Sequence, residues 1–278
     1  MKQSLLLAAF FIGNIVPVFA EKAPPETTPD NGYIEPFQIL DNLYYVGDQW
    51  VSSYLIQTDA GLVLIDTMDY PYSKWLPQSF KRLGLELSDL KYIVITHGHS
   101  DHVSGAGYLQ KLTGAKVVMS SDDLHLMIAQ AQKRGFMLPE ISISPKDGET
   151  IKLGSFKMRF HQTPGHTDGC VSNEFMAFDQ GKPLRAFVMC GNGTSFEGAE
   201  TAKRYIESVN KVKQIAQASP VVSVNLPSHP HLGQIFERQR LKATEKYNPF
   251  VDPKGFTQFI RLLEKRGQEK LLVEQEKP

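Results

Sequence analysis

The apolar run YIVIT ends at Thr96 and is followed at once by three histidines and an aspartate within six residues, His97, His99, Asp101 and His102. An apolar, β-branched segment of this length reads as a buried strand, and Val103 to Thr113 reads as a helix, so the polar cluster falls on the connection between them. Such a connection needs a rigid frame to hold it in one shape. In an extended chain alternate residues point to one side, so His97, His99 and Asp101 can converge while His102 turns toward a neighbouring point. Neutral imidazoles and a carboxylate are ordinary zinc ligands. The nearby helix N-terminus disfavours protonated histidine and leaves the lone pairs free. A surface loop that is histidine-rich by chance suits one histidine better than four such residues in six.

A chain of 278 residues, 41% of them hydrophobic, has length for one large domain or two modest ones and can bury a substantial core. Its 30 Lys and Arg balance 30 Asp and Glu, so no basic field exists to attract nucleic acid or an anionic membrane. Lys2, the apolar run Leu5 to Ile12 and the small residue Ala20 together read as a secretory signal peptide over residues 1–20. Gly13, Asn14 and Pro17 interrupt the apolar stretch, which makes a poor membrane span. The expectation is a periplasmic or secreted protein with no stable membrane anchor after cleavage; an uncleaved anchor is the alternative. Residues 21–32, rich in Pro and charge, are expected to form a flexible lead-in, with a single domain over 33–278.

Along that domain, LYYVG, SSYLIQT and GLVLIDT read as a strand meander, with the DAG turn joining the last two. Helix-like segments over 73–83 and 103–113 then alternate with the strands YIVIT and KVVMS. Past a helix or loop near 122–135, TIKLGSFKMRFHQT reads as a hairpin around Gly154, and SNEFMAF with PLRAFVMC as another across DQGK. Helices are expected over 199–216, 234–247 and 255–274, with VVSVN between the first two. Two β-rich layers with helices outside describe an α+β fold, a four-layer αββα sandwich.

Two more histidines sit at strand ends: His166 in TPGHTDG and His229 in NLPSHPH. His125 and His161 fall inside expected elements and read as structural. Together the pattern His-x-His-x-Asp-His and the TPGHTDG stretch resemble the metallo-β-lactamase superfamily, and LYYVGDQWVSSYLIQTDAGLVLIDT looks like that family's opening strands. The resemblance covers roughly 38–265 and points to the third subclass of metallo-β-lactamases, with an Asp-His-His second zinc site. It implies two zinc ions per chain, a first held by His97, His99 and His166 and a second by Asp101, His102 and His229. It further implies catalysis by a hydroxide that the two ions share and Asp101 orients. Asp66, closing LVLID, is a candidate carboxylate partner for a ligand imidazole; a strand-terminal turn residue is the alternative.

The superfamily serves lactams, thioesters, lactones and phosphodiesters, so membership leaves the substrate open. Thioesterase and nuclease members usually carry a bridging aspartate after the strand that follows PGH. The corresponding stretch here, AFVMCGNGTSF, has none. The third subclass generally places serines at this point, where this chain has Cys190, Gly191, Asn192, Gly193 and Thr194. Asn192, Thr194 and Ser195 are candidate hydrogen-bonding contacts for a substrate, Phe136 and Met137 candidate apolar contacts, and Trp50 a candidate edge of the cleft. Each apolar residue has packing on its own domain as the alternative. Cys170 and Cys190 lie opposite each other if the hairpin turns near Gln180 and Gly181, which allows a disulfide. Free buried thiols, or ligation of the second zinc by Cys190 as in the first subclass, are the alternatives. The functional expectation is a zinc-dependent β-lactamase acting on a small molecule and conferring antibiotic resistance. A hydrolase of another ester or lactone, and a zinc-binding protein with little catalysis, are the competing readings.

Overall fold

The computed structural model describes residues 22–277; the expected signal peptide lies outside the described residues. Short apolar segments separated by tight turns pair with their neighbours in chain order. Thus β1 (Phe37–Leu40), β2 (Leu43–Tyr45), β3 (Tyr54–Thr58) and β4 (Gly61–Ile65) form an antiparallel meander. Helices then carry the chain back to the starting edge, and parallel pairing results. α1 (Leu76–Arg82) leads to β5 (Leu90–Val94), α2 (Ser100–Val103) and α3 (Ala106–Thr113) lead to β6 (Lys116–Val118), and α4 (Leu124–Arg134) leads to β7 (Ile141–Ile143). These seven strands make one sheet in sequence order.

The second sheet has the order β12-β11-β10-β9-β8. Its strands β8 (Thr150–Leu153), β9 (Phe156–Gln162), β10 (Val171–Asp179) and β11 (Lys182–Val188) pair antiparallel. Gln180 and Gly181, both at positive φ, form the two-residue turn between β10 and β11, the backbone shape that such a hairpin requires. α5 (Ala199–Gln217) crosses to β12 (Val222–Asn225), which runs parallel to β11. α6 (Ile235–Lys242) and α7 (Pro253–Gln275) complete the chain.

Three apolar cores define four layers. Ile56, Val63 and Val94 of the first sheet meet Met158, Phe160 and Phe175 of the second. On its other face the first sheet sends Leu55, Leu64 and Ile93 against Leu76, Phe80, Leu109 and Met127 of the helices. Phe187 and Val222 of the second sheet pack on Tyr205, Val209, Phe256 and Leu263 of α5 and α7. The αββα sandwich expected from the sequence is this arrangement.

Two strands are not legible in the sequence. β1 and β7 are short sheet edges, and β7 lies between Pro139 and Pro145, a context that reads as loop. The helix expected over 234–247 stops at Lys242. Residues 22–32, expected as a flexible lead-in, make contacts with the rest of the domain. Trp75 Nε1–H donates to the Pro25 carbonyl at 2.8 Å, the Lys22 N–H donates to Tyr70 Oη at 2.7 Å, and the Lys74 ammonium reaches the Lys22 carbonyl. Among the described residues no helix is long and apolar enough to cross a membrane.

Candidate metal centre

Each candidate ligand follows the C-terminal end of a strand: His97 to His102 after β5, His166 after β9, and His229 after β12. The layered frame brings them into two triads. His97, His99 and His166 form one, and Asp101, His102 and His229 form the other, with the ligand atoms of each triad within 4.8 Å of one another. His99 Nδ1 and His166 Nε2 are 3.2 Å apart. Asp101 Oδ2 lies 3.3 Å from His102 Nε2 and 3.9 Å from His229 Nε2.

The chemistry of these donor sets fits zinc. Among the described residues, His97 Nε2 is buried without any hydrogen-bond partner, a condition that is costly unless something else satisfies it. The opposite ring nitrogen is tied down in four of the five imidazoles. His166 Nδ1–H donates to the Gly193 carbonyl at 2.9 Å and His229 Nδ1–H to the Trp50 carbonyl at 2.8 Å. His102 Nδ1–H donates to Asp66 Oδ2 at 2.8 Å. The Thr96 hydroxyl donates to that same Asp66 oxygen at 2.8 Å, so its own oxygen is free to accept from His97 Nδ1–H at 3.0 Å. In the neutral imidazole each of these bonds fixes the tautomer that leaves Nε2 as a lone-pair donor.

Electrostatics separates the triads. Burial, with the neighbouring imidazoles, pushes His97 well below its ordinary value, and burial and His99 lower His166 to about 4. The first triad is therefore neutral and ready to ligate. Burial also opposes charge on His102, but the Asp101 and Asp66 carboxylates outweigh it and raise the imidazole to about 10. Burial would raise Asp101, yet His102, His229 and His99 hold its carboxyl far below the usual range. Without metal, the second triad is an ion pair.

Asp66 sits at φ 57° just past β4, a left-handed conformation that aspartate tolerates better than most residues. That turn aims the carboxylate at Thr96 and His102. The Cys170 and Cys190 sulfurs are bonded to each other, with Cα atoms 5.7 Å apart, so neither the free-thiol nor the zinc-ligand alternative describes Cys190. The bridge joins the segment after His166 to the start of the 190–198 loop.

The expected substrate contacts divide. Phe136 is 1% exposed and belongs to the core between the first sheet and its helices, which corrects its reading as a ligand contact. Asn192 is also 1% exposed. Its Oδ1 accepts from Ser228 N–H and Oγ–H, each at 2.8 Å, and its Nδ2–H donates to the Met189 carbonyl at 3.0 Å. The amide has no freedom to meet a substrate; it braces the residue before His229. Trp50 is 45% exposed, with its carbonyl at His229 and its indole against Tyr72 and Gly32, and Thr194 and Ser195, half-buried and exposed respectively, follow Gly193, whose carbonyl accepts from His166. Met137 is exposed, with its backbone against Gly107 of α3; among the described residues no hydrogen bond joins it to either triad. His161 is buried 3.4 Å from Glu174, and His125 is exposed on α4.

Asp123 is absent from the sequence reading. It is buried where the His97–His102 and His166 loops meet, accepting hydrogen bonds from both. A signal for it exists in the glycines of the two loops that carry the candidate ligands, Gly98 and Gly169.

Residues 46–176 match the family profile described as Metallo-beta-lactamase superfamily. The native metallo-β-lactamase FEZ-1 of Legionella gormanii superposes with a TM-score of 0.79 at 26% identity, covering 88% of this chain and 98% of that one. A subclass B3 metallo-β-lactamase of Bradyrhizobium japonicum, BJP-1, superposes with a TM-score of 0.78 at 26% identity, covering 87% and 95%. Among curated proteins, a hydroxyacylglutathione hydrolase of Cereibacter sphaeroides is 27% identical over 165 residues, 59% of this chain. The match spans 58% of that relative's length.

Proposed function

We propose that this chain, which carries a metallo-β-lactamase superfamily domain, is a periplasmic or secreted zinc-dependent hydrolase that opens the β-lactam amide. The carrying observation is the second triad of Asp101, His102 and His229, together with a 190–194 segment that brings no carboxylate between the triads. The likeness to solved metallo-β-lactamases over nearly nine tenths of the chain supports the same reading. The secretory leader read in residues 1–20 supports the compartment.

Zinc held by these six residues would supply Lewis acidity and a water deprotonated near neutral pH. The protein's own contribution is orientation. Asp66 and the Gly193 and Trp50 carbonyls keep the Nε2 lone pairs of His102, His166 and His229 aimed inward. Asp101 stays anionic and presents its Oδ2 to His102 and His229. Thr194 and Ser195 offer hydroxyls for a substrate's polar groups, and Trp50 offers an apolar edge.

A hydrolase of another ester or lactone is the second reading, favoured by the hydroxyacylglutathione hydrolase relatives and by the burial of Asn192, which removes one polar contact from the cleft. Purified protein separates the two. Zinc per chain would be measured alongside hydrolysis of a chromogenic cephalosporin, a carbapenem, an acyl-lactone and a glutathione thioester, with and without chelator, for wild type and His97→Ala. Chelator-sensitive lactam turnover, lost in His97→Ala, is expected. Two bound zinc ions with turnover of the lactone or thioester alone would overturn the β-lactamase reading in favour of the second.

A further inference from the structure

We propose that Asp123 is the positioning residue that sets the spacing of the first triad, because its carboxylate ties the loop carrying His97 and His99 to the loop carrying His166. The inference rests on reading the triads as a metal centre. The three ligands come from chain segments more than 60 residues apart, so local geometry cannot fix the separation of His99 from His166.

Asp123 closes a short 3-10 turn over Ser121–Asp123, where the Asp122 N–H donates to Ser120 Oγ. From there its side chain, 1% exposed, accepts from both ligand loops. The Gly98 N–H, between His97 and His99, donates to Oδ2 at 2.8 Å. The Thr167 hydroxyl, next to His166, donates to the same oxygen at 2.7 Å, and the Gly169 N–H donates to Oδ1 at 2.7 Å. No Lys or Arg pairs with this carboxylate among the described residues, and its partners are these three hydrogen bonds.

The two glycines are independent support. A Cβ on Gly98 would lie 2.9 Å from the Asp123 carbonyl oxygen, and one on Gly169 would lie 2.6 to 2.8 Å from Asp123 N, Cγ and Cβ. Both ligand loops lack a side chain at the point where Asp123 enters. The chemistry also demands a carboxylate, since three donors converge on two oxygens. An asparagine amide turns its NH2 toward at least one of them, whichever way it is flipped.

The test uses the full-length mature protein as wild type, Asp123→Asn, Thr167→Val and, as a control, Asp122→Asn, whose side chain is exposed. Folding would be followed by urea denaturation. Affinities for the two ions would be measured by competition with a chromogenic chelator, and site occupancy read from the ligand-field spectrum after cobalt substitution. Asp123→Asn is expected to weaken the first site by about tenfold or more and change its cobalt spectrum, with the second site and Asp122→Asn close to wild type. Thr167→Val removes one bond of three and should shift the first site in the same direction by less, so the inference stays testable if Asp123→Asn does not fold. Unchanged first-site affinity in the folded variants overturns the inference, whatever their loss of stability. A wild type that binds no metal would overturn the metal-centre reading itself, an outcome distinct from wild-type affinity in Asp123→Asn.

Discussion

Asp66 and Thr96, thirty residues apart in the chain, form a two-point contact in which one carboxylate oxygen accepts the Thr96 N–H and the other accepts its hydroxyl, both at 2.8 Å. Because the second oxygen also accepts from His102 Nδ1, and the Thr96 hydroxyl accepts from His97 Nδ1, one aspartate orients a ligand in each triad.

Removing that carboxylate should therefore disturb both metal sites. Asp66→Ala is expected to lower second-site zinc affinity by about 10- to 100-fold, the usual effect of losing a ligand's hydrogen-bond partner, and to weaken the first site by less. It also strands the buried Thr96 N–H, at a cost of about 1–3 kcal/mol. Chelator competition and urea denaturation read the two effects separately. Wild-type zinc affinity in a folded Asp66→Ala protein would refute this role.

The triads should respond differently to pH. In the metal-free protein His102 holds a proton up to about pH 10, so metal entering the second triad displaces one proton throughout the neutral range. Affinity there should fall about tenfold for each unit of acidification. His166 is lowered to about 4 and His97 well below its ordinary value; the first site should hold its affinity nearly constant between about pH 8 and pH 6. Titrations with a pH-corrected competitor give both slopes, and equal slopes would contradict the assignment.

Asn192 offers a sharp contrast between bracing and substrate contact. Asn192→Ala leaves the Ser228 N–H and hydroxyl without their acceptor, which should destabilise the fold by about 1–3 kcal/mol and loosen His229. The expected signature is weaker second-site zinc binding. A raised KM with unaltered zinc affinity would restore the substrate-contact reading.

Glu174 and Arg185 supply a stability prediction away from the metal. The carboxylate accepts from Arg185 at 2.5 and 3.0 Å, and the guanidinium also donates to the Ile215, Ala218 and Pro220 carbonyls around the end of α5. Burial would raise Glu174, but His161 and Arg185 lower it to about 2. A folded-state value below the unfolded one means stability is present above about pH 4.5 and is lost as pH falls toward 2. Arg185→Ala should cost about 1–3 kcal/mol at pH 7, the range for leaving a partly buried polar group without its partner, and distinctly less at pH 2.5. Urea denaturation at the two pH values checks this, and a pH-independent loss would show that the carbonyl contacts dominate.

The sequence by itself determined the ligand types and the frame that carries them. His97, His99, Asp101 and His102 follow a β-branched run and precede a helix, and the alternation of apolar residues marks most strands, because side-chain chemistry and local periodicity are properties of short segments. Only the tertiary structure decided how those segments meet. It buried Phe136, turned Asn192 from the cleft toward Ser228, joined Cys170 to Cys190 and brought residues 22–32 into contact with the rest of the domain. It also placed Asp123 between two loops whose glycines make room for it. These outcomes depend on strand register and on hydrogen bonds between residues distant in the chain, and no local pattern encodes which buried donor will face which acceptor.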